Sequence, residues 1–130
     1  MKNYKILLVD DDVDFVFIQK AILEKEGYQV ITAGDKAEGL EKARNENPDL
    51  AILDVMMNTP QEGYEMAREM RKDDDLKNIP LIMLTSVDSI TGLNLKAMAN
   101  DPKWLPVDSF LEKPVQPVQL LNQIKALLKN

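Results

Sequence analysis

The chain has 130 residues, 45% of them apolar, which is the size and composition of one domain with one hydrophobic core. It contains no cysteine and no histidine, which excludes disulfide frameworks, thiolate or imidazole metal sites, cysteine nucleophiles and Ser-His-Asp triads. The 22 acidic against 16 basic residues give a net charge of -6, the wrong sign for a surface that binds nucleic acid.

The apolar run before Asp10, Ile6–Val9, is only four residues long, and no later run approaches the length of a signal peptide or a membrane helix. The expectation is a single soluble, cytoplasmic domain over residues 1–130. Along the chain, short apolar runs alternate with amphipathic stretches. Ile6–Val9 stops at a cluster of aspartates, and the stretch from Asp14 to Glu26 carries Phe15, Ile18, Ile22 and Leu23 at helical spacing, with Gly27 as a C-cap. Tyr28–Ala33 is the second run. Asp35-Lys36-Ala37-Glu38 then has capping-box spacing and opens a helix to about Asn45. Leu50–Leu53 ends at Asp54, and a third helix covers Tyr64 to Arg71, with Arg71 to Asp75 reading as a solvated helix end. Leu81–Leu84 ends at Thr85, a fourth helix is predicted near Ser89–Ala99, and Val107–Leu111 precedes Lys113-Pro114. Pro117 suits the first position of a fifth helix whose apolar face is Leu120, Leu121, Ile124, Leu127 and Leu128.

Five such units with crossover connections predict an α/β fold, a doubly wound parallel sheet with helices on both faces. Ligands of such sheets bind beyond the carboxyl ends of the strands. That edge collects Asp10, Asp11, Asp12 and Asp14 from the first strand, Asp54 from the third, Thr85-Ser86 from the fourth and Lys113 after the fifth. Taken singly, these residues have ordinary explanations: Asp12 or Asp14 capping a helix, Thr85 ending a strand, Lys113 a solvated charge. Their conjunction points to chemistry. Gathered carboxylates repel one another, and a hard divalent cation offsets the repulsion; Mg2+ suits an all-oxygen site best. A lysine and a hydroxyl at the same rim can bind the oxygens of a phosphoryl group.

These residues, in the runs Leu8-Val9-Asp10-Asp11-Asp12, Ile52-Leu53-Asp54-Val55-Met56-Met57, Gly63-Tyr64-Glu65, Leu84-Thr85-Ser86 and Phe110-Leu111-Glu112-Lys113-Pro114, resemble the receiver domain of two-component response regulators across essentially the whole chain. The resemblance implies a flavodoxin-like fold with strand order 2-1-3-4-5. It implies that Asp54 is the phosphoacceptor, that Asp11 ligates Mg2+ directly and Asp10 through a metal-bound water, and that Met56 supplies its backbone carbonyl to the ion. By the same resemblance Thr85 and Lys113 bind the phosphoryl group, Thr85 and Phe110 form the switch, and the Lys113-Pro114 bond is cis. The implied partners are a sensor histidine kinase or a histidine phosphotransfer protein and a downstream protein target, with no direct contact to nucleic acid or membrane. The implied state is a monomer or a phosphorylation-dependent dimer. The domain would catalyse only its own phosphorylation and dephosphorylation, and so is a switch rather than a turnover enzyme. With the fifth helix running to the end of the sequence, the reading is a switch without an output domain, or one from which such a domain was trimmed.

Two features depart from the family pattern. The loop after Asp54 reads Asn58-Thr59-Pro60-Gln61-Glu62 before Gly63, one residue longer than usual, and Thr85 and Lys113 lie 28 positions apart, with the surplus around Asn100–Pro106. Trp104 and Leu105 in that insertion are expected to pack on the fourth helix or to anchor a partner. The rival from another class is a small haloacid-dehalogenase-type phosphatase using Asp10, whose Asp-x-Asp pattern the chain satisfies; it leaves Asp54 without a role. A flavin carrier is disfavoured because the aspartates would repel a flavin phosphate.

Overall fold

A computed structural model describes residues 4–55, 62–85 and 107–128. The predicted helix near Ser89–Ala99, the loop containing Met56 and the insertion with Trp104 lie outside the described residues. The elements are β1 (Lys5–Val9), α1 (Val13–Lys25), β2 (Gln29–Ala33), α2 (Lys36–Glu46), β3 (Leu50–Asp54), α3 (Glu62–Lys72), β4 (Leu81–Thr85), β5 (Ser109–Glu112) and α4 (Pro117–Leu128). The five strands are all parallel, in the order β2-β1-β3-β4-β5.

The alternation along each strand divides the apolar residues between two layers, one on each face of the sheet, as a doubly wound sheet requires. Leu7, Val9, Ala51, Leu53, Leu81 and Met83 face α2 and α3, packing with Leu40, Ala43, Met66, Ala67 and Met70. Ile6, Leu8, Val30, Leu50, Ile52, Ile82 and Leu84 face α1 and α4, packing with Leu23, Leu120, Ile124 and Leu128. A strand with apolar side chains on both faces can only sit between two helical layers, which is why β1, β3 and β4 read as continuous apolar runs.

Helix ends follow local chemistry. Asp12 is the N-cap of α1, its carboxylate accepting from the Phe15 amide at 3.1 Å. At the other end Gly27, at φ 98°, donates to the Glu24 carbonyl while Tyr28 donates to that of Leu23, the paired bonds of a Schellman turn. Asp35 caps α2 by accepting from the Glu38 amide at 2.8 Å, but Glu38 returns its bond to the amide of Gly34, one residue earlier than a standard capping box.

Two expectations need correction. Ile18 does not join the core: it is 54% exposed, and the buried face of α1 instead carries Gln19 and Leu23. Adjacent helical residues are rotated by about 100°, so a face centred on Gln19 turns Ile18 outward. Nor is Arg71 a solvated helix end. Its guanidinium donates to the carbonyls of Lys77 and Ile79 and to Asp108, and the same Asp108 oxygen accepts the Leu81 amide at 2.8 Å. This clasp joins the start of β4 to the segment leading into β5, and so sets where β5 delivers Lys113.

Gly63 permits the approach of α3 to the end of β3. A Cβ there would lie 1.8 Å from the Asp54 carbonyl oxygen, while its amide donates to the Val55 carbonyl. Gly39 meets only the flexible end of Met66 at 2.8 Å and a Val9 methyl at 3.1 Å. Gly63→Ala is therefore expected to cost about 2–4 kcal/mol in urea unfolding, because rigid backbone must move. Gly39→Ala should cost about 1 kcal/mol or less, since Met66 can yield and alanine is the better helix former. Equal costs would disprove this assignment of Gly63.

Candidate functional site

The parallel sheet brings the ends of β1, β3, β4 and β5 to one edge, and the predicted residues meet there. Asp10 follows β1, Asp54 ends β3, Thr85 ends β4 and Lys113 follows β5. Carboxylate oxygens of Asp10, Asp11 and Asp54 all lie within 4.8 Å of one another, with Asp10 and Asp54 buried and Asp11 exposed. Lys113 Nζ donates to Asp10 Oδ2 at 2.9 Å and stands 3.6 Å from Asp54 Oδ1. Asp10 Oδ1 accepts the Asp12 amide at 2.9 Å. Both oxygens of Asp10 are thus engaged, whereas among the described residues Asp54 has the longer contact with the ammonium.

Thr85 is fully buried, and its hydroxyl oxygen has no partner among the described residues. A buried hydroxyl without a hydrogen bond is costly and marks a place where a further group fits. The Lys113 amide donates to the Thr85 carbonyl, which links the ends of β4 and β5 at the site, and the Lys113-Pro114 bond is cis, as the resemblance implies. Phe110 pairs in register with Met83, two residues before Thr85, and packs half-buried on the α2/α3 side. Beside Asp10 and Asp11, a cleft of about 290 Å³ opens between α1 and the β2–α2 turn, lined by Val13, Val16, Thr32, Gly34, Glu38 and Lys42 among others.

The electrostatics follow from three carboxylates sharing one ammonium. The pKa of Asp54 is pushed up to about 7, by burial first and then by the charge of Asp10, with Lys113 opposing and Asp11 adding to the rise. Burial works against the charge on Lys113, but the hydrogen bond and charge of Asp10, with the charge of Asp54, outweigh it and hold its pKa above that of an ordinary lysine. The donor set is oxygen only and its residual charge is negative, so it fits a hard divalent cation rather than a transition metal.

Sequence reasoning reached Asp10, Asp11, Asp54, Thr85 and Lys113 but assigned Phe15 only to the core; its ring lies beneath the Lys113 ammonium, with Nζ 4.3 Å from the centroid. No spacing rule links a residue in the first turn of α1 to one 98 positions later, so only the fold brings them together.

The fold and the site define a member of a signalling family. The chain belongs to the response regulator receiver domain family, whose sequence profile matches residues 6–125. It is 37% identical, over 98% of its length, to the alkaline phosphatase synthesis transcriptional regulatory protein PhoP of Bacillus subtilis, of which it covers 49%. Among solved structures it resembles the chemotaxis response regulator CheY4 of Vibrio cholerae, with a TM-score of 0.81 and 30% identity, covering 98% of this chain and 100% of that one. It also resembles a CheY-like receiver domain protein from Methanospirillum hungatei, with a TM-score of 0.77 and 34% identity, covering 98% of this chain and 94% of that one. The chain spans about half the length of the curated relatives it matches, at 49%, 48% and 45% of the first three.

The raised pKa of Asp54 has a consequence for stability. The folded chain holds a proton on Asp54 that the unfolded chain releases near pH 4, so this group's contribution to stability falls as pH rises from about 4 to about 7. In EDTA at pH 8, Asp54→Asn is expected to be more stable than wild type by on the order of 1–3 kcal/mol. The difference should close near pH 4.5, and should narrow at pH 8 when Mg2+ is added. Chemical denaturation across that pH range checks the sign; a wild type as stable as the variant at pH 8 in EDTA contradicts it.

Proposed function

We propose that this chain is the phosphoacceptor receiver domain, over residues 1–130, of a two-component phosphorelay, with Asp54 taking a phosphoryl group from a histidine kinase or a histidine phosphotransfer protein. The observation that carries the proposal is the meeting of Asp10, Asp11, Asp54 and Lys113 at one strand edge next to the unpartnered hydroxyl of Thr85. An Asp54 carboxylate oxygen attacks phosphorus in line, the bond from phosphorus to the donor nitrogen breaks, and the electron pair leaves with the donor imidazole. The product is an acyl phosphate on Asp54.

Each neighbour has a part in that step. Asp10 and Asp11, with Asp54 itself and the Met56 backbone carbonyl, would hold Mg2+. When bound, the ion supplies charge neutralisation for the carboxylate cluster and for the phosphoryl oxygens. Lys113 stands 3.6 Å from Asp54 Oδ1, within reach of a phosphoryl oxygen placed there, and Thr85 offers a hydroxyl with no partner among the described residues. Satisfying that hydroxyl gives the protein a reason to rearrange around Thr85 and Phe110 on phosphorylation, because a phosphoryl oxygen offers this buried donor a partner that the described residues do not. Hydrolysis of the acyl phosphate at the same site resets the switch, so the chemistry is self-directed rather than turnover on a free substrate. The same reading carries a cytoplasmic setting, a protein target downstream, and a monomer or a phosphorylation-dependent dimer; no described helix is long and apolar enough to cross a membrane.

The phosphatase alternative is disfavoured on geometry. Asp10 would have to be its nucleophile, yet one Asp10 oxygen is held by Lys113 and the other by the Asp12 amide. Intact mass after incubation with Mg2+ and acetyl phosphate tests the proposal. Wild type should gain one phosphoryl group, Asp54→Ala none, and Lys113→Ala should be slowed by about a hundredfold, as for loss of one oxyanion donor. A gain that survives in Asp54→Ala would refute the assignment.

A further inference from the structure

The Lys113 ammonium is bounded on three sides. Asp10 Oδ2 accepts from it at 2.9 Å, Asp54 Oδ1 lies at 3.6 Å, and the face of the Phe15 ring lies below it, 4.3 Å from Nζ to the centroid. Only 21% of the lysine side chain is exposed, so the ring occupies a side that water would otherwise take. Phe15 is itself fixed. Its amide is the one that the Asp12 carboxylate caps, and its ring packs on the α1/α4 layer of the core. We infer that Phe15 is a positioning residue for Lys113: its ring face holds the ammonium at the carboxylates and gives it a surface to move along between Asp10 and the group on Asp54. This inference rests on the phosphoacceptor reading of Asp54.

The physical argument is one of freedom and direction. A lysine side chain has four rotatable bonds and loses much entropy when fixed. Two carboxylates alone would hold it in one place, by hydrogen bonds that must break before the ammonium can reach a phosphoryl oxygen. An aromatic face attracts a cation through its quadrupole with little directional demand, and most strongly where water is excluded. It therefore restrains the lysine against escape to solvent without opposing its lateral movement. Leucine in place of Phe15 would keep apolar packing and lose that attraction, whereas tyrosine would keep both.

Rates of Asp54 phosphorylation by acetyl phosphate in Mg2+ should fall about five- to tenfold in Phe15→Leu, matching a cation–π contact of moderate strength. Phe15→Tyr should recover the wild-type rate to within about twofold. A rate lost in Phe15→Leu beyond any loss of stability in urea unfolding separates this role from packing alone. In wild type, the ε-methylene protons of Lys113 should resonate upfield of those of the other lysines because they lie over the ring, and that displacement should vanish in Phe15→Leu and persist in Phe15→Tyr. Phosphorylation of wild type on Asp54 with an equal rate in Phe15→Leu, or Lys113 ε-protons at an ordinary shift, would overturn the role given to Phe15 and leave Asp54 as the acceptor. A wild type that takes up no phosphoryl group on Asp54 would overturn the phosphoacceptor reading and this role with it.

Discussion

Three carboxylates held close together with a single ammonium among them are the constraint around which the rest of this molecule is arranged. Left to itself, the cluster would push β1 and β3 apart at their carboxyl ends, and the raised pKa of Asp54 expresses its burial first and that repulsion second. The fold withstands it because Asp10 and Asp54 stand on adjacent strands whose preceding residues are completely buried, Val9 and Leu53 among them. The apolar layers on both faces bear the load. A site of this kind is a store of unfavourable charge that a cation or a phosphoryl group can alter, and the Thr85 hydroxyl, without a partner among the described residues, adds a second demand beside it.

Local devices serve the site and the fold together. Asp12 accepts the Phe15 amide with its carboxylate and donates its own amide to Asp10, so the cap of α1 and the orientation of a site carboxylate share one residue. Glu62, largely buried at the start of α3, accepts the backbone amide of Lys36 at the first turn of α2 at 2.9 Å, where negative charge is favoured by the helix dipole. The loop leaving Asp54 is thus answered on its far side by an anchored helix start. Gly63 follows immediately, letting the chain pass within contact of the Asp54 backbone.

Much of this was legible in the sequence, for physical reasons that differ by element. The central strands could be read because burial on both faces removes polar residues from them, and the helix caps because aspartate and glycine have few other uses at those places. The site residues could be read because a parallel sheet sends every strand end to one edge, so Asp10, Asp54, Thr85 and Lys113 converge once the strands are recognised. Ile18 was misjudged because two helical faces differing by about 100° fit the same apolar spacing until the sheet selects one. Arg71 was misjudged, and the second contact of Phe15 missed, for another reason: each reaches across the fold, to Asp108 and Lys113 respectively, and no local pattern encodes such a partner.

The reach of Lys113 has a mechanical meaning apart from its chemistry. It leaves the end of β5, at one margin of the sheet, and bonds Asp10 after β1, passing across the positions of β4 and β3. At the usual spacing of about 4.8 Å between strands, that is roughly 14 Å of sheet spanned at one edge. The two side chains, meeting in one hydrogen bond, are therefore a tie laid over the mouth of the sheet between its margin and its centre. Whatever draws the ammonium off Asp10 removes that tie, and the margin of the sheet is then held to the centre by the β4–β5 ladder and the Asp108 clasp alone.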